Sequence, residues 1–197
     1  MKKLNKCLIL AIAVFMAMPL MAQNSKQSKD RIAYIRKIYQ EAQEHAKRSA
    51  DNMVTTTLRD KTDGVASVQT LDFFYLTDVV EVVEIPYCKL NLLRRTLKGG
   101  VNSYEEFLYD PKDESLIFYF YTAEQEKGVK CETRWYDRAA DDGTALKLTK
   151  FIDTKTGKDV SNRYGDMLGM PWDDGFLNRF AHDMQEAFNH ITLRGWD

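Results

Sequence analysis

His182, Glu186 and His190 recur at i, i+4 and i+8, the one grouping in this 197-residue sequence that sets two histidines and a carboxylate at helical spacing, and metal ligation is the chemistry such a trio suggests. A rise of about 1.5 Å per residue puts the two imidazoles about 12 Å apart along a helix, too far for both to ligate one ion at about 2 Å. They read as the polar face of a helix, and no metal is assigned. Asp153-Thr154-Lys155-Thr156-Gly157-Lys158 has the outline of a calcium loop. It lacks alternating acidic ligands and a closing glutamate, so it reads as a turn. Nucleophilic catalysis finds no G-x-S-x-G, and neither Cys88 nor Cys131 has a histidine beside it in sequence. Gly99-Gly100 leads into no lysine-bearing helix start, so no phosphate cradle is expected. No catalytic residue and no cofactor follow from these groupings.

A different kind of site is suggested by Tyr119, Tyr121, Lys130, Glu132 and Arg134, which mix aromatic surface with hydrogen-bonding ends. They lie in 104–136, where YEEFLYD, SLIFYFYT and VKCETRWYD read as three successive strands carrying nine of the chain's 23 aromatic residues. Pairing the last two about the AEQEKG turn sets Thr122, Phe120, Phe118 and Leu116 opposite Val129, Cys131, Thr133 and Trp135, a nearly apolar face. The alternate face then brings Tyr121 near Lys130, Tyr119 near Glu132 and Ile117 near Arg134. A one-residue slip would exchange the faces. Two readings of the mixed face stand: a ligand surface with aromatic and Arg anchors, or sheet decoration in which Glu132 and Arg134 pair with each other or with Glu105 or Glu106.

The elements that must position these strands are legible on either side. Ile32, Ile35, Ile38, Tyr39, Ala42 and Ala46 recur at spacings of three and four, which predicts an amphipathic helix over 28–50. β-prone segments follow: VTTTLRD, an Asp63-Gly64 turn, SVQTLDFFYLT, and VVEVVEIPYCKLNLLRRTL, in which Pro86 calls for an edge position or a bulge. After the central strands, ALKLTKFID reads as one more strand, and 161–175 reads as a loop held by Met167, Met170 and Trp172. Phe176, Leu177, Phe180, Ala181, Met184, Phe188 and Ile191 form the apolar stripe of a second helix over 174–192, capped by Asp173 or Asp174. The expected fold is α+β: an antiparallel sheet of five to seven strands packed with an N-terminal and a C-terminal helix.

Lys2, Lys3 and Lys6 precede the apolar run Cys7 to Leu20, which ends in Met21-Ala22-Gln23. That is the plan of a secretory signal peptide over 1–22, its run shorter than the roughly 20 residues of a membrane span. The expectation is an exported protein, periplasmic or secreted, with one domain over 23–197 and no membrane span in the mature chain. Without the three leader lysines, 25 basic and 29 acidic residues give a net charge of −4. That charge disfavours nucleic acid, whose phosphates call for a basic surface. The compartment permits one disulfide between Cys88 and Cys131.

The export segment ending in PLMAQ, the IRKIYQEAQ helix and the EEFLYD, LIFYFY and CETRWYD strands together resemble uncharacterised exported bacterial domains. A helix laid on an antiparallel meander is similar in outline to the cystatin-like and nuclear transport factor 2-like α+β folds. Both fold groups include binding modules and the latter also enzymes; the residues themselves, with ample aromatic surface and no ordered catalytic set, point to a non-catalytic binding module for a protein, peptide or glycan, with a small hydrolase-like pocket enzyme between sheet and helices as the alternative. The resemblance carries no site residue over, since fold outline does not transfer function.

Overall fold

A computed structural model of the protein describes residues 25–48, 52–62, 65–80, 85–100, 102–165 and 172–193. The expected export segment, the Asp63-Gly64 turn, Met167 and Met170 lie outside the described residues. Helix α1 (Lys26–Arg48) is followed by seven strands: β1 (Met53–Thr62), β2 (Val65–Val80), β3 (Ile85–Lys98), β4 (Ser103–Tyr109), β5 (Leu116–Glu126), β6 (Val129–Tyr136) and β7 (Leu146–Asp153). A 3₁₀ turn (Ser161–Arg163) and helix α2 (Asp174–Leu193) complete the order. The strands form one sheet in sequence order, every neighbouring pair antiparallel.

Period-two alternation gives this sheet two apolar faces, and each helix covers one of them. Ile32, Ile35, Tyr39 and Ala42 of α1 bury against Phe74, Leu92, Leu108, Phe118 and Tyr136. Leu177, Ala181 and Phe188 of α2 bury against the alternate residues Phe73, Leu93, Phe107, Tyr119 and Trp135. Each such side chain contributes roughly 1.5–3 kcal/mol on leaving water. That is why strands covered on both sides read as near-continuous apolar runs in 116–121 rather than as an alternation. A third cluster, Val129, Cys131, Phe151 and Val160, closes the far end of β6 and β7.

The register of β5 and β6 differs from expectation. Phe118 faces Tyr136, Tyr119 faces Trp135, Phe120 faces Arg134, Tyr121 faces Thr133 and Thr122 faces Glu132. The polar segment expected to be loop instead extends β5 to Glu126, with an irregularity between Glu124 and Glu126. The chain reverses at Lys127-Gly128, where Gly128 takes φ of 86°, a conformation without steric cost for glycine. The shift is odd in residues, so it exchanges the two faces. Pro86 faces Val79 in β2, and β4 pairs with β3 only from Leu92 to Leu97. The proline therefore stands on a stretch of β3 beyond the reach of β4, which answers the expected edge position.

Candidate functional site

Arg94-Arg95 in β3 and Glu105-Glu106 in β4 are antiparallel partners, Arg94 opposite Glu106 and Arg95 opposite Glu105. Because neighbours in a strand point to opposite faces, one Arg–Glu pair lies under α1 and the other lies on the α2 side. Both carboxylates are buried. On the α1 side, Arg94 Nε donates to Glu106 Oε1 at 3.1 Å and Gln43 Nε2 donates to the same oxygen at 3.1 Å. Tyr104 also donates to Oε1, and Tyr39 donates to Oε2. The guanidinium of Arg94 lies 4.8 Å from the centre of the Phe74 ring and donates to Gln43 Oε1. Burial, and then the charge of Glu106, hold the phenols of Tyr39 and Tyr104 well above their ordinary range. They are fixed donors, unsuited to serve as bases at neutral pH.

The α2 side repeats the plan with different partners. Glu105 Oε1 accepts from Arg95 Nη1 at 3.0 Å, and Oε2 accepts from Tyr119 Oη at 3.0 Å and Trp172 Nε1 at 3.3 Å. Arg95 Nη2 reaches Gln69 Oε1 at 3.0 Å, and its guanidinium lies 5.2 Å from the Phe180 ring centre. Trp172 stacks on Phe176 at 4.4 Å, so the aromatic layer runs from the buried pair to the surface. Neither carboxylate is open to a substrate. The signal for both pairs was present in sequence as two adjacent bases, a Gly99-Gly100 reversal and two adjacent acids. Only a committed hairpin register would have joined them.

Of the five residues singled out from sequence, Tyr119 and Tyr121 face α2, whereas Lys130, Glu132 and Arg134 lie on the α1 side. The expected common face is corrected by the odd register shift. Tyr119, Glu132 and Arg134 are also buried, so they offer no contiguous surface. Glu132 accepts from Lys130 Nζ at 2.7 Å and from Arg134 Nη2 at 3.4 Å, and the Arg134 guanidinium lies 5.3 Å from the Phe120 ring centre. The arginines that pair with Glu106 and Glu105 are Arg94 and Arg95. The Cys88–Cys131 disulfide is likewise corrected. Cys88 in β3 and Cys131 in β6 are free and separated by β4 and β5, about 14 Å at strand spacing, against a limit near 7 Å. Burial pushes both thiols up, which makes them poor nucleophiles.

What the α1 side does present is a graded surface. One cross-strand row, Met53–Phe74–Leu92–Leu108–Phe118–Tyr136–Leu146, is mostly apolar and lies at the helix. Next comes Thr55–Asp72–Arg94–Glu106–Phe120–Arg134–Leu148, with the buried ion pair at its centre. The third row, Thr57–Thr70–Thr96–Tyr104–Thr122–Glu132–Lys150, carries four threonines and a tyrosine. At that end of the sheet a cleft of about 550 Å³ opens, lined by Thr96, Asn102, Tyr104, Thr122, Glu124 and Lys130 among others. Most of its accessible lining is apolar; Thr96, Ser103, Tyr104 and Thr122 add hydroxyls and Asn102 an amide, with one acid, Glu124, and two lysines, Lys98 and Lys130, around them.

His182 lies exposed on α2 with Asp183 and Glu186 each 3.9 Å away, and His190 is exposed as well. Among the described residues, no cluster of three or more His, Cys, Asp or Glu side chains could hold a metal ion, and no helix is long and apolar enough to cross a membrane. Asp153 is the centre of a turn, its Oδ1 accepting from the backbone of Lys155 and Thr156. No family model, curated protein or solved structure matches this chain.

Proposed function

We propose that this protein is an exported, non-catalytic binding module whose ligand occupies the hydroxyl-lined end of the sheet on the α1 side. The observation that supports this reading is the composition of the cleft. Thr96, Tyr104 and Thr122 stand on three adjoining strands, with Asn102 in the turn before β4, so that hydroxyls and an amide edge a mostly apolar surface beside Glu106, whose carboxylate is already taken by arginine and tyrosine. Such a lining suits a polyhydroxylated ligand, a glycan, which exchanges hydrogen bonds with hydroxyls and amides without bringing net charge. The tyrosine of the cleft is held in place from behind, because its phenol donates to the buried Glu106. A rigid donor–acceptor array of this kind lowers the ordering cost of binding.

Calorimetric titration of the purified protein with a panel of oligosaccharides tests the reading. Thr122→Val and Thr96→Val each remove a hydroxyl at the cleft and should weaken binding about tenfold, the equivalent of about 1.4 kcal/mol, with melting temperature held. Unchanged affinity in both variants, or no binding by any oligosaccharide, would reject it.

A further inference from the structure

The start of α1 is fastened to the sheet through its cap. Ser25 is that cap: its hydroxyl accepts from Ser28 N at 3.2 Å, and its carbonyl accepts the first helical bond, from Lys29 N at 3.1 Å. Its own N–H donates to Asp141 Oδ1 at 2.8 Å, the oxygen that also receives the Ser28 hydroxyl at 2.8 Å. Asp141 stands between β6 and β7, so these bonds tie the helix end to the far side of the sheet. Gln23 and Asn24 lie outside the described residues, and in sequence they alone separate the cap from the end of the expected export segment at Ala22.

An export cut after Ala22 makes glutamine the first residue, with a free α-amine beside its own carboxamide. An α-amine has a pKa of about 7.7–8.0, so part of the population is unprotonated at neutral pH and able to attack. The amine nitrogen adds to Cδ of the same side chain, and the new N–Cδ bond closes a pyrrolidone ring. The Cδ–Nε2 bond breaks, and Nε2 leaves as ammonia with the proton that the amine gives up. No oxidant, nucleotide or second substrate is consumed. Charge at the helix end also favours the product. The first turn of α1 contains no acid and carries Lys26, with exposed Lys29 just beyond it. A further ammonium ahead of the cap adds like charge to the positive end of the helix dipole, and the closed ring carries none.

We infer that Gln23 is a modification site and that the mature chain begins with pyroglutamate in place of a free amine. The inference rests on the proposed export and its cut after Ala22, and is independent of what occupies the cleft. A closed N-terminus resists aminopeptidases, which otherwise reach the Ser25 cap once Gln23 and Asn24 are removed. The test is mass spectrometry of the N-terminal peptide of protein freshly recovered after export, for the full chain and for Gln23→Ala. The wild-type peptide should begin at Gln23, weigh one ammonia less than its encoded sequence and resist Edman degradation until treated with pyroglutamyl aminopeptidase. Gln23→Ala should present an open amine and be trimmed by a general aminopeptidase that leaves the wild type intact. A peptide that begins at Gln23 with its full mass and an open amine overturns the inference and leaves the export reading standing. A peptide that begins elsewhere, or a chain that keeps Met1, overturns the cut after Ala22 and the inference with it.

Discussion

Glu106 receives hydrogen bonds from Tyr39, Gln43, Arg94 and Tyr104 while buried beneath α1, so its charge is tolerated only because the full set is present. Arg94→Ala removes the one cation in that set and should cost about 3–5 kcal/mol in urea unfolding, whereas the pair replacement Arg94→Met with Glu106→Leu should recover most of it. A cost below about 1 kcal/mol for the single change would mean the charge is compensated elsewhere. Tyr34 gives a pH signature. Burial, then its hydrogen bonds to Asp110, raise its phenol to about 12, above the ordinary 10. A folded value above the unfolded one means the contribution is complete below pH 10 and is lost as pH rises towards 12. Tyr34→Phe should therefore flatten the fall of the urea midpoint across that window relative to the wild type. Cys131, fully buried against Val129, Phe151 and Val160, should lose about 1–3 kcal/mol on change to Ser. The protein should titrate as having two free thiols at these sites when denatured without reductant.

The elements were legible where burial is one-sided and ambiguous where it is two-sided. The α1 stripe of Ile32, Ile35, Ile38, Tyr39 and Ala42 was read from spacing, and these are the residues that are buried. The stripe of α2 was equally plain through Leu177, Ala181 and Phe188. Strand identities and the antiparallel order also followed from turn residues and β-prone runs. Register did not, because 116–121 is apolar at every position and either face of β5 could have met the core. Glu124, Gln125 and Glu126 hid the true turn, since low strand propensity made them resemble loop. That single uncertainty scattered the expected site over two faces. An engineered crosslink checks the observed register: Ala123 stands opposite Cys131, within disulfide reach for a cross-strand pair. Ala123→Cys should oxidise to an intramolecular disulfide with Cys131, while Phe120→Cys, which the rejected register would set opposite Cys131, should not.

At the scale of the molecule, one sheet keeps two helices apart and carries a buried Arg–Glu pair on each face. The pairs occupy the middle of the sheet, so apolar packing lies to one side of them and polar surface to the other. On the α1 side the sheet ends in the cleft of Thr96, Asn102, Tyr104, Thr122 and Lys130, where the proposed ligand would bind. Amide chemical-shift mapping during titration with oligosaccharides tests that assignment most directly. The account predicts saturable shifts concentrated at Thr96, Asn102, Tyr104, Thr122 and Lys130. Shifts centred instead on Trp172 and Phe176 across the sheet, or none with any oligosaccharide, would contradict it.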